Sequence, residues 1–142
     1  PFVGPAGRLL DTLLEEVGIV RDRYYVTNAV KHFKFVPRGK RRLHQRPNTH
    51  EIERCKWWLE IERAIIRPKM IVAMGATAAH AVTGSGQGIL KRRGKIEQLA
   101  DGTAVFITIH PSAVLRSRDD TAREAARADF LKDLRALAHM LG

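Results

Sequence analysis

Met70-Ile71-Val72-Ala73-Met74-Gly75-Ala76-Thr77-Ala78-Ala79-His80-Ala81-Val82 is the stretch whose reading decides the fold. The unbroken apolar run Met70 to Met74 reads as a buried strand, because a strand covered on both faces needs no polar alternation. Gly75 interrupts it, and the small residues from Ala76 to about Val82 read as a helix. A strand feeding directly into a helix is the unit of a parallel sheet. The neighbouring segments repeat the alternation. Tyr24 to Val30 is a β-branched and aromatic run that reads as another buried parallel strand, ending near Asn28. Gly94–Leu99 and Ala104–His110 read as strands joined through an Asp101-Gly102 turn, with Pro111 ending the second. The expected fold is therefore α/β, three layers with a central, mostly parallel sheet covered by helices on both faces.

Three helices flank these strands. Arg8 to Val17 places Leu9, Leu10, Leu13, Leu14 and Val17 on one face, with Gly18 just past its end as a C′ residue. Pro1 to Gly7, with two prolines and two glycines, reads as a rigid loop. Asn48-Thr49-His50-Glu51 has the capping-box pattern and opens a helix to about Arg67, stopped by Pro68. Its core stripe is Ile52, Cys55, Leu59 and Ile66, with Trp58 beside it. Thr121 to Leu141 is a terminal amphipathic helix that sets Ala125, Ala128, Phe130, Leu131, Leu134, Leu137 and Leu141 largely to one side. Gly84 to Gly88 is a glycine-rich turn, but no Lys-Ser/Thr follows it and its spacing fits no P-loop.

The 142 residues make one domain, large enough to bury a core. Apolar residues at 44% and charged residues at 28% are ordinary, so the net charge of +10 and the isoelectric point near 10.5 stand out. Such a charge attracts polyanions, most often nucleic acid. No apolar run is long enough to span a membrane, no signal peptide is visible, and one cysteine cannot make a disulfide within the chain. A cytoplasmic monomer is expected. The chain begins Pro1-Phe2-Val3-Gly4-Pro5 with no initiator methionine, as if cut from something longer.

The charge is concentrated. Arg38 to Arg46 holds five Lys/Arg and His44 in nine residues, and no acidic residue occurs between Arg23 and His50. Pro37 and Gly39 argue against a helix or a central strand, which places Lys40, Arg41 and Arg42 on a loop. The plain reading is a solvated basic run or a nuclear-localisation-like patch. The sharper one is a phosphate-gripping loop that carries a titratable group, His44, to its ligand.

In open α/β sheets ligands bind beyond the carboxyl ends of the strands, which puts Asn28, Gly75 and His110 on one rim. His110 could cap loop carbonyls, or act on a ligand with Ser112 and Arg116 offering a hydroxyl and a cation to a phosphate. Asn28 is either a turn former or an amide that reads a base edge. Phe2 would by itself be a loop-to-core anchor, and Cys55 a small core hydrophobe. Neither a Ser-His-Asp triad nor paired carboxylates stand out.

Four motifs sharpen this. Pro-Phe-Val-Gly-Pro-Ala-Gly-Arg-Leu-Leu at 1–10, Val-Thr-Asn-Ala-Val-Lys-His-Phe-Lys-Phe at 26–35, Lys-Arg-Arg-Leu-His at 40–44 and His-Pro-Ser-Ala-Val-Leu-Arg at 110–116 resemble the uracil-DNA glycosylase superfamily. Above all they resemble its iron–sulfur, family 4-like branch called UdgX, whose members bind uracil-DNA covalently. The resemblance implies that Phe2 stacks on a flipped uracil, Asn28 reads its edge and His110 stabilises charge on the departing base. It implies that His44 attacks the sugar, in DNA that is expected to be single-stranded. It also implies a 4Fe–4S cluster, with Cys55 as the last ligand, His32 where a third cysteine normally stands, and the other ligands upstream of Pro1. The first strand and a Gly-Glu-x-Pro-Gly-type motif with an acidic catalytic residue are expected upstream as well. Two rival readings are a multiple-turnover glycosylase that uses His44 only to grip DNA, and a non-catalytic DNA-binding module.

Overall fold

Residues 4–27, 35–38, 41–44 and 49–142 are described in the computed structural model, the two four-residue segments by their backbone alone. In chain order the elements are α1 (Gly4–Glu16), a 3-10 turn at Arg21–Arg23, β1 (Phe35–Arg38), β2 (Arg41–His44) and α2 (Thr49–Ile66). Then come β3 (Met70–Met74), α3 (Ala76–Thr83), α4 (Ile89–Arg92), β4 (Lys95–Gln98), β5 (Ala104–Thr108), α5 (Pro111–Leu115) and α6 (Asp120–Leu141).

The main sheet has the order β3-β5-β4. Strands β3 and β5 run parallel, from Met70 opposite Ala104 to Met74 opposite Thr108, so their carboxyl ends finish together. Strand β4 pairs antiparallel with β5 through the expected Asp101-Gly102 turn, closed by Gly102 N–H to Leu99 O at 2.9 Å. The period of two along β5 builds the layers. Phe106 joins Leu10, Leu13, Leu14, Val114, Phe130, Leu134 and Leu137 beneath α1, α5 and α6. Val105 and Ile107 face the other way, against Ala73 and Ala79 beneath α3. This is the expected three-layer α/β arrangement. Phe106 and Phe130 are fully buried, and each such side chain stabilises the fold by roughly 1.5–3 kcal/mol.

Helix α1 starts at Gly4, not at Arg8, so the expected rigid loop to Gly7 is corrected. Pro5 lies in the first turn, where a missing N–H has no intrahelical partner to lose. Its far end is as expected. Gly18 adopts φ +83, its N–H reaches Glu15 O at 3.0 Å, and Ile19 N–H reaches Leu14 O at 2.9 Å. That is the Schellman pattern.

Three further expectations need correction. The described part of Tyr24–Val30, residues 24–27, joins no sheet, and Tyr25 is exposed. The Tyr25 hydroxyl donates to Glu62 Oε2 at 2.7 Å and the Thr27 hydroxyl to Glu62 Oε1 at 3.2 Å. One carboxylate on α2 thus holds alternate residues of an extended segment by side-chain hydrogen bonds instead of a ladder. In α2, Ile52 and Cys55 are buried as expected, but Trp58 and Ile66 are exposed, because the amino-terminal half of the helix meets α3, where Glu53 meets His80 at 2.9 Å. In α6, Phe130, Leu134 and Leu137 are buried while Ala125, Ala128 and Leu141 are not.

The described residues of the basic stretch, Arg38 and Arg41–His44, lie in strands and not on a loop. Phe35–Arg38 and Arg41–His44 form an antiparallel ribbon in which Pro37 faces Arg42 and His44 faces Phe35. A two-stranded ribbon has only edge strands, so Pro37, which forbids a central strand, is tolerated here.

Candidate active site

The parallel register brings the ends of β3 and β5 side by side, and the next residues of each form the site. Gly75 N–H donates to Thr108 O at 2.8 Å. Gly75 has φ +90, and a Cβ placed there would lie 3.1 Å from His110 Cβ. Only glycine takes this backbone without strain and lets the two strand ends approach. Gly75→Ala is expected to cost roughly 1–3 kcal/mol of stability, read as a lower midpoint in denaturant. The displaced His110 would show as a shifted ring signal in the NMR spectrum of the same variant.

His110 caps the short helix α5, and Pro111 occupies the first helical turn, where its ring geometry favours initiation. The Ser112 N–H donates to His110 Nδ1 at 3.0 Å, and Ser112 Oγ lies 2.8 Å from the same nitrogen. Nδ1 therefore acts as an acceptor, and the neutral ring carries its proton on Nε2. Burial first, and the Arg116 cation second, hold His110 below the ordinary histidine pKa of 6.5. Arg116 Nη1 donates to Ser112 Oγ at 2.8 Å. The site thus offers a half-buried neutral N–H donor at the carboxyl end of a parallel strand.

Behind it lies a polar network that sequence reading missed. Asp133 is buried in α6; its Oδ2 accepts from Thr108 Oγ1 at 2.7 Å and from Arg93 Nε at 2.9 Å. Helix α6, the end of β5 and the connection after α4 are tied together at Thr108, the last residue of β5 and two residues before His110. The signal available was an acidic residue in the same helix turns as Phe130, Leu134 and Leu137, since a buried carboxylate needs partners.

His110, Ser112 and Arg116 are brought together, and Gly75 joins them on the rim as expected. Phe2, Asn28, His32 and Lys40 lie outside the described residues. Arg41, Arg42 and His44 are located by their strand positions only. Cys55 is buried on the α3-facing part of α2. No group of three or more His, Cys, Asp or Glu among the described residues could hold a metal ion, and the chain has one cysteine. These residues do not make an iron–sulfur ligand shell by themselves. A shallow cleft of about 370 Å³ between Arg63, Arg67, Pro68 and Thr103 lies at the opposite end of β5, where Arg63 already pairs with Asp101 at 3.1 Å.

Fold and site together define an α/β protein with a partly buried histidine at the carboxyl-end rim of its sheet. The model of the uracil DNA glycosylase superfamily matches residues 1–135. The chain belongs to that superfamily. It is 39% identical over 133 residues to the type-4 uracil-DNA glycosylase of Thermotoga maritima, covering 93% of this chain and 66% of the relative. The type-4 enzyme of Pyrobaculum aerophilum is 35% identical over 147 aligned positions, 94% of this chain and 65% of the relative. That of Archaeoglobus fulgidus is 32% identical over 139, covering 93% and 65%. The chain spans about 65% of the length of these curated relatives.

Proposed function

We propose that the protein excises uracil from DNA, with His110 as the group that stabilises the departing base. The observation that carries this reading is the His110 geometry, a neutral imidazole with Nδ1 occupied and its proton on Nε2, on the strand-end rim of a uracil-DNA glycosylase fold. As the C1′–N1 bond stretches, its electron pair moves onto the uracil and negative charge grows at O2. A hydrogen bond from Nε2 to that oxygen strengthens as the charge develops, so it lowers the barrier and not merely the ground state.

The base must first leave the stack. Lys40, Arg41 and Arg42 grip the phosphates of a single strand while Phe2 stacks on the extruded uracil. The chain's net charge of +10 supports that partner. The protein acts as a monomer in the cytoplasm. No step here draws on a 4Fe–4S cluster. Its assembly around Cys55 and His32 would need ligands beyond this chain's single thiol.

His44 supplies the finer part of the proposal. It ends β2, opposite Phe35, in a ribbon held by backbone pairing. As the sugar becomes oxocarbenium-like, an imidazole nitrogen donates its lone pair to C1′ in place of water. The N-alkylated imidazolium then loses its one N–H proton to solvent, and the uracil anion takes up a proton. The product is free uracil and a covalent protein–DNA adduct.

Base reading by Asn28 provides the test. Asn28→Ala is expected to leave salt-dependent DNA binding nearly intact and to remove the preference for uracil over thymine, since phosphate contacts position and edge contacts specify. Binding and base release on matched uracil and thymine strands check this. Equal weakening on both strands would make Asn28 a structural turn residue.

A further inference from the structure

Ser112 and Arg116 suggest phosphate contacts when read as sequence, but their geometry points inward. We propose that Arg116 is a positioning residue that acts through the Ser112 hydroxyl to hold the His110 imidazole in its working orientation. The inference rests on the reading of His110 as the donor to the leaving base. The Ser112 hydroxyl lies 2.8 Å from Arg116 Nη1 and 2.8 Å from His110 Nδ1. A guanidinium can only donate, so Ser112 Oγ accepts from Arg116, and its single proton is left for Nδ1. Nδ1 then receives two donors, the Ser112 N–H at 3.0 Å and the Ser112 O–H. Hydrogen bonds arranged in series polarise one another, so the cation at the head of the chain strengthens the contact at its end.

The placement follows from one short helix. His110 is the N-cap of α5, Ser112 lies in its first turn, and Arg116 is its C-cap, where the Arg116 N–H also donates to Ser112 O at 3.0 Å. Residues 112 and 116 are one turn apart, so the guanidinium reaches back along the helix to the hydroxyl. The hold of α5 on the core runs through Pro111 and Val114 instead, both buried. Arg116 is exposed, so replacing it leaves that packing untouched. The chain fixes rotation of the ring about its Cβ–Cγ bond, and with it the direction of the Nε2–H that faces the reaction.

The test combines kinetics with spectroscopy of the free protein. Arg116→Met and Ser112→Ala should each lower the single-turnover rate of uracil release at saturating DNA about tenfold, in the range one charge-assisted hydrogen bond covers, with the DNA concentration that gives half that rate changed less than about twofold. The double variant should be no slower than either single variant, because the two groups act in series. In the 15N spectrum of the DNA-free protein, the His110 Nδ1 resonance should move toward the value of an acceptor that has lost a hydrogen bond, in both single variants. An unmoved Nδ1 resonance in Arg116→Met, with DNA binding weakened alike on uracil and thymine strands, would overturn the proposal and make Arg116 a phosphate ligand. Failure of the unaltered protein to release uracil would overturn the reading of His110. The 15N shifts would still decide whether Arg116 acts on the ring.

Discussion

Replacing His110 with alanine is expected to lower uracil release by about 10²–10³-fold, the range found when one donor to a developing oxyanion is removed. The loss should fall on the single-turnover rate at saturating DNA and not on DNA affinity, because the hydrogen bond matters chiefly where charge has built up. His110 also caps α5, so part of any effect could come from a loosened helix. His110→Asn separates the two roles, since an asparagine side chain caps well but presents its amide elsewhere. Stability should recover in this variant while release stays slow.

The pH dependence follows with a definite sign. Burial and Arg116 lower the His110 pKa beneath 6.5 in the folded protein. A group depressed in this way contributes stability that is present above its unfolded value and is lost as pH falls through the folded one. Activity should accordingly hold its plateau from about pH 8 down past the ordinary histidine value of 6.5 and decline only below it. The protonated ring would set an Nδ1–H against the Ser112 N–H, so low pH opposes both the fold and the donor geometry. A ring-proton titration by NMR gives the midpoint directly.

Legibility differed along the chain for physical reasons. Met70–Met74 and Ala104–Thr108 were readable as strands because each is an uninterrupted apolar run, although only β5 is largely buried and β3 is buried at Ala73 alone. Gly18 was readable because a Schellman turn asks for a residue free to adopt positive φ. The rim was readable from topology, since two parallel strands that end together must bring Gly75 and His110 close. Pro37 misled, because it excludes a central strand but not the edge of a two-stranded ribbon, and the sequence around it carries charge in place of alternation. Pro5 misled in the same way, because a proline in the first helical turn resembles a helix breaker. Tyr25 and Thr27 looked like strand residues, and their hydroxyls found Glu62 instead. Asp133 was hidden because its partners, Thr108 and Arg93, lie 25 and 40 residues away. In the site, His110 and Ser112 were visible as a motif, but the direction of Arg116 toward Ser112 depends on the turn of α5.

The second large effect concerns His44. The antiparallel pairing of β2 with β1 holds its backbone in a way that a loop would not. Holding a nucleophile beside its target replaces a bimolecular encounter and can contribute about 7–11 kcal/mol toward the barrier. Once uracil has diffused away, the N-alkylated imidazole has no good leaving group, so the adduct should persist. A complex with uracil-containing single-stranded DNA is therefore expected to survive denaturing gels, with the DNA carried on a peptide that includes His44. His44→Ser should lose the adduct entirely and keep uracil release, because the smaller side chain admits water to C1′ while His110 still stabilises the base.

Counting free uracil against protein tests the central claim most directly. The protein is mixed with excess single-stranded DNA containing one uracil, beside a thymine strand of the same sequence. Release from the uracil strand alone, reaching a plateau of one uracil per protein, is the predicted result. Continued release far beyond one equivalent would contradict the role of His44 and leave an ordinary glycosylase. No release from either strand would contradict the account as a whole and leave a DNA-binding module.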